Sequence, residues 1–201
     1  MTSSGGGLDE CRAAIDLANS HDPRDHHGVP LALAQGRMAE EWVVRLAPQA
    51  TDALRLAARA HHLRRWELPR SDYPAGRAGY LRWRRAQRQR HARDLIAMAD
   101  DAGLDGSVSA RAAAIVSKKG LGSDPEVQTF EDAVSLTFLE TQLEPVIARL
   151  ADDAKAASIV AKTLAKMSDA GRGQAQALAA SGQFGDRSRR ILTEAMATLP
   201  A

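Results

Sequence analysis

The sequence predicts an all-α, single-domain helical bundle. Apolar residues recur at i, i+4, i+7 and i+11 in one segment after another, the spacing that lines one face of an α-helix. Runs of β-branched residues alternating with polar ones, which would mark half-buried strands, are missing from the sequence. Glycine and proline fall between the periodic segments, where helices of ordinary length should end. A chain of 201 residues, 44% hydrophobic and 26% charged, is long enough to bury a core of its own. That balance excludes disorder throughout.

The elements follow in order. Residues 1–7 end in three glycines and read as a disordered tail, 8–185 as one helical domain, and 186–201 as a C-terminal tail or short helix. Leu8 to Ala18 is a short helix closed by the Asp22-Pro23 turn signal. Val29 to Ala47 carries Leu31, Met38, Trp42 and Leu46 on one face, and Pro48 stops it. Thr51 can cap a helix running on to Trp66. Pro69, Pro74, Gly76 and Gly79 make 67–79 a loop, after which a long basic helix extends from Tyr80 to about Ala102. Ser109 to Lys118 forms the next helix. Asp124-Pro125 joins an acceptor cap to a preset φ and starts another, which runs to Leu143 and bends or ends at Pro145. Asp152 to Ala170, closed by Gly171, is the last strongly specified helix.

Each of four helices interrupts its apolar stripe with a polar residue. Gln35 sits among Leu31, Met38 and Trp42; His61 follows Leu54 and Ala58, with His62 at the edge; His91 precedes Leu95 and Met98; Asp132 precedes Leu136 and Leu139. A buried imidazole or carboxylate costs several kcal/mol without a partner. The simplest solution is that these groups meet, directly or around a divalent metal. Gln35, His61, His62, His91 and Asp132 are therefore the candidate metal ligands, with His62, His91 and Asp132 as the catalytic candidates.

Charge is the second signal. The net charge is only +2, yet 11 of the 22 arginines fall between Arg59 and Arg93, with Glu67 and Asp72 as the only acids there. Both tyrosines and two of three tryptophans lie between Trp66 and Trp83. Arginine suits bidentate binding of phosphate or carboxylate. Arg65, Arg70, Arg77 and Tyr73 are the candidate anion-binding residues, with Lys118 and Lys119 adding charge before a glycine turn. Arg82, Arg85, Arg88, Arg90 and Arg93 read as a solvated face. The lone Cys11 can form no internal disulfide and points to a reducing, cytoplasmic setting. No apolar run approaches the roughly 18 residues of a membrane span, so no membrane partner is expected. Nothing in the pattern sets an oligomeric state.

Two resemblances add to this. A polar residue, a His pair, a later His and a distant Asp on successive helices are similar to the layout of the HD-domain metal-dependent phosphohydrolases, here degenerate. His62 replaces the Asp of the pair, and Gln35 stands for the first His. Longer segments resemble the family described as domain of unknown function 4202, over about residues 11–180. They include Asp16 to Pro23, Ala34 to Met38, Ala57 to Arg70, Tyr73-Pro74, Gly79 to Arg84, Asp124 to Asp132, Phe138 to Glu140 and Lys162 to Ser168. The HD resemblance implies a metal-activated water attacking a phosphorylated or other anionic small molecule held by Arg65 and Arg70. Alternative readings are a nucleic-acid or nucleotide-binding module using the arginine and aromatic surface, and a non-catalytic structural or interaction protein.

Overall fold

The computed structural model describes residues 4–199. Nine α-helices account for most of the described chain: α1 (Ser4–Asn19), α2 (Leu31–Leu46), α3 (Asp52–Arg59), α4 (Gly76–Asp101), α5 (Gly106–Val116), α6 (Pro125–Ala148), α7 (Asp153–Leu164), α8 (Asp169–Ala180) and α9 (Asp186–Ala197). The only sheet among the described residues is a two-stranded hairpin, β1 (Asp25–His26) and β2 (Val29–Pro30). The centre of the bundle is α6, packed along α2, with α3 and α5 closing one side. α4 lies across α1 and α5, while α7 and α9 pair with each other beside α6. Phe130, Leu136, Leu139 and Leu143 of α6 meet Leu54, Leu56, Leu95, Ile115 and Ile191 in one buried cluster. No described helix is long and apolar enough to cross a membrane.

Several boundaries move, each for a physical reason. Helix α1 begins at Ser4, so residues 4–7 are helical rather than a tail; residues 1–3 lie outside the described set. A Cβ on Gly7 would stand 2.6 Å from the Ala102 carbonyl oxygen, so the glycine permits the close crossing of α1 and the end of α4. The C-terminal segment forms helix α9, which buries Ile191, Leu192 and Ala195. Helix α6 runs through Pro145, because the Gln142 side-chain amide donates to the Thr141 carbonyl (2.8 Å) that the proline nitrogen cannot serve.

The Asp152–Ala170 segment is two helices. Asp132 takes the Ser168 backbone N–H at 2.9 Å and its hydroxyl at 2.5 Å, which starts α8 afresh. Gly171 lies inside α8, where a Cβ would come within 2.7 Å of the Asp132 carboxyl carbon. Helix α3 stops at Arg59 instead of reaching Trp66. Asn19 accepts the Arg64 N–H at 3.1 Å, Arg64 turns left-handed (φ 49°), and a 3₁₀ turn follows at Arg65–Glu67. That break positions the candidate site.

Candidate functional site

The site is built where the turn after α3 faces α4. In a continuous helix His61 and His62 would point about 100° apart. The broken turn stacks them instead, with ring centroids 4.2 Å apart, and brings His62 to 6.4 Å from His91 of α4. His61 donates from Nδ1 to the Ala58 carbonyl at 2.9 Å, the only role open opposite a carbonyl oxygen. His62 Nδ1 lies 2.6 Å from Gln35 Oε1, and Gln35 Nε2 donates to the Thr141 hydroxyl at 2.9 Å. Gln35, His61 and His91 are buried, and His62 is partly exposed. Of the five polar stripe residues, four thus converge.

Asp132 does not join them. Its two oxygens are engaged by Ser168 and by Gln128 Nε2 (3.0 Å), so it anchors the start of α8. No group of three or more His, Cys, Asp and Glu side chains that could hold a metal ion occurs among the described residues. The groups surrounding the imidazoles are cations. Burial pushes His61 down to about 4, with Lys118 and Arg65 adding to the effect. Burial likewise drives His62 and His91 well below the ordinary histidine value, reinforced by Arg65 and Arg84 and by the other imidazoles. The three rings are neutral at pH 7, and the field around them repels a further cation. The donor set therefore does not fit the divalent metal of the HD resemblance, and His62, His91 and Asp132 do not form a metal-dependent catalytic set.

Arg65 has the opposite character. Its guanidinium lies 4.6 Å over the Trp83 ring, yet it makes neither an ion pair nor a side-chain hydrogen bond among the described residues. Burial, then Arg84 and Arg24, lower its pKa to about 10. Arg84, on the face of α4 that also carries Gln87 and His91, meets Tyr80 alone among the described residues, its hydroxyl at 3.3 Å. Arg84 and Gln87 carry no stripe signature, because a polar residue beside polar neighbours breaks no pattern. Their spacing to His91, seven and four residues, was the available cue.

The remaining candidates divide. Arg70 spends its donors on the Tyr73, Pro74 and Gly76 carbonyls (2.7, 2.8 and 3.4 Å) and so braces its loop instead of facing a ligand. Lys118 is held by Glu131 of α6; burial lowers its pKa against that pairing. Its charge is thereby neutralised. Arg77 and Lys119 are exposed, and Tyr73 is half-buried with its carbonyl taken by Arg70. Arg82, Arg85 and Arg93 are exposed, and Arg90 pairs with Glu67 and Asp94.

No curated protein and no solved structure matches the chain. The family model described as "Domain of unknown function (DUF4202)" matches residues 9–187 of the 201, and the chain belongs to that family.

Proposed function

We propose that the protein binds an anionic small molecule, foremost a phosphorylated one, between Arg65 and Arg84 and beside His62 and His91. The observation that carries this is the unpaired, partly buried Arg65 guanidinium, set next to a second cation with no carboxylate to offset either. Of the other partly buried arginines, Arg12 and Arg59 pair with Glu40, and Arg111 with Asp124 and Glu126, whereas Arg64, Arg70 and Arg88 have no ion pair among the described residues. Desolvating a cation is unfavourable unless an anion meets it. A phosphate offers oxygens at the spacing of a guanidinium fork. Hydrolysis through a metal-activated water forms no part of this reading.

Isothermal titration with inorganic phosphate and pyrophosphate at low salt tests it. Pyrophosphate binding in the micromolar to millimolar range is expected, roughly −8 to −4 kcal/mol. Arg65→Met and Arg84→Met should each weaken it at least about tenfold, since a charged hydrogen bond is worth about 1.5–3 kcal/mol. Binding that survives both substitutions, or no binding by the intact protein, overturns the reading. A DNA oligonucleotide held in a steeply salt-dependent manner by the exposed Arg82, Arg85 and Arg93 face would instead favour the nucleic-acid alternative.

A further inference from the structure

The hydrogen-bond pattern around the two arginines says more about the ligand than its charge. The Thr141 hydroxyl donates to the Thr137 carbonyl at 2.8 Å, so its proton is spent and it can only accept from Gln35 Nε2. That fixes the Gln35 amide with its oxygen toward His62. An amide oxygen can only accept, so His62 must carry its proton on Nδ1. The relay from α6 through α2 therefore leaves His62 Nε2 with a lone pair, and no described residue donates to it.

Gln87 is fixed by a separate argument. Its Nε2 lies 2.9 Å from the Arg65 carbonyl oxygen and 2.8 Å from that of Leu68, so both amide protons are used and a flipped amide would face two oxygens. Its Oε1 is left buried with no partner among the described residues. One turn along α4, His91 Nε2 is also buried and unpartnered, on a residue only 2% exposed. A buried acceptor without a donor costs about 1–3 kcal/mol. The site thus joins two guanidiniums, which only donate, to two acceptors, His62 Nε2 and Gln87 Oε1, that nothing in the described chain satisfies.

We propose that the ligand is an anion carrying a hydroxyl group within a few bonds of its charged end: the charge sits on Arg65 and Arg84, and the hydroxyl donates to His62 Nε2 or Gln87 Oε1. The chemical class is a hydroxylated phosphate ester, such as a polyol or sugar phosphate, as opposed to a bare anion or an alkyl phosphate. This rests on the anion-binding reading above. A pocket built to bond a substrate hydroxyl discriminates strongly against the analogue lacking it, because its own polar groups are then left unpaired.

The test compares glycerol 1-phosphate with n-propyl phosphate by titration calorimetry at pH 8, where both esters are dianions without a donor on phosphorus. Both should bind, glycerol 1-phosphate at least about tenfold tighter, the worth of one or two recovered hydrogen bonds. The preference should shrink in Gln87→Met and in the double substitution Gln35→Leu with His62→Phe, which removes the acceptor without stranding the relay. Equal binding of the two esters by the intact protein overturns this inference and leaves the anion site standing. Failure of both esters to bind removes the anion site and this inference with it.

Discussion

Two arginine-rich regions sit in this bundle and solve the same problem in opposite ways. Where α1, α2 and α3 meet, Arg12 and Arg59 close on Glu40, with Arg55 at 3.3 Å, while Arg37 and Arg59 share Asp16 at 2.9 and 2.6 Å. A hollow of about 490 Å³ is lined by these arginines, Arg45 and the two glutamates Glu40 and Glu41. Where the α3 turn meets α4, Arg65 and Arg84 face three neutral imidazoles, and neither arginine has an ion pair among the described residues; the Glu131 carboxylate is bound to Lys118. The first region carries its anions in the sequence. The second leaves the anion to be supplied, and that difference separates a framework from a binding site.

The comparison can be broken most directly at Glu40. Its carboxylate is nearly buried and is shared by three arginines. Glu40→Gln leaves those cations without a counter-charge, which for buried pairs costs about 3–5 kcal/mol. Chemical denaturation should show a loss near 3 kcal/mol, and heating a midpoint lower by roughly 10 °C for a domain of this size. A loss below about 0.5 kcal/mol, the scale of an ordinary surface substitution, would mean that the network holds nothing together.

Acid should separate the regions next. The histidines of the second region are depressed bases: folded, His61 releases its proton near 4, whereas in the unfolded chain it does so near 6.5. Between those values the unfolded chain binds more protons, so stability is fully present above about pH 6.5 and falls as pH drops toward 4. One such group accounts for about 3 kcal/mol across that window. Burial acts to raise Asp16, but its bonds to Arg59 and Arg37 outweigh it and hold the carboxyl below its ordinary value. Its contribution is therefore lost only below the histidine window, as pH falls through that depressed pKa. Stability curves at pH 7, 5.5 and 4 should show the larger decline in that window for the intact protein, and a smaller one for His61→Gln. An equal slope in both proteins would place the titration elsewhere.

The sequence made the helices legible because burial on one face leaves a periodic trace. Leu31, Met38 and Trp42, or Leu136, Leu139 and Leu143, need no tertiary information to be found. The polar interruptions at Gln35, His61 and His91 were legible for the same reason, and they do lie together. Asp132 carried the same trace for a different purpose, because periodicity reports that a residue is buried and not which neighbour it meets. Its partner, Ser168, lies 36 residues away on a helix start that reads locally as mid-helix. The turn that brings His62 inward was equally hidden: it depends on Asn19 reaching Arg64 from 45 residues away. Arg70 and Arg84 show the limit for charge. Composition placed both in the same block, but only the fold shows that one is consumed by loop carbonyls and the other left free.

The smallest expected effect on stability is also the sharpest test of the contrast. Arg65→Met keeps a long apolar stem against Trp83 and removes a partly buried charge that has no ion-pair partner among the described residues. Replacing buried ionic groups with apolar ones of similar volume is often neutral or stabilising. The change in unfolding free energy should therefore lie within about 1 kcal/mol of zero, which a denaturant titration resolves. Pyrophosphate affinity should nevertheless fall at least about tenfold. Glu40→Gln predicts the reverse, a large loss of stability with binding intact at temperatures where the variant is folded. If Arg65→Met instead destabilises the protein by several kcal/mol, the guanidinium is part of the framework after all. The two regions would then differ in the identity of their partners rather than in purpose.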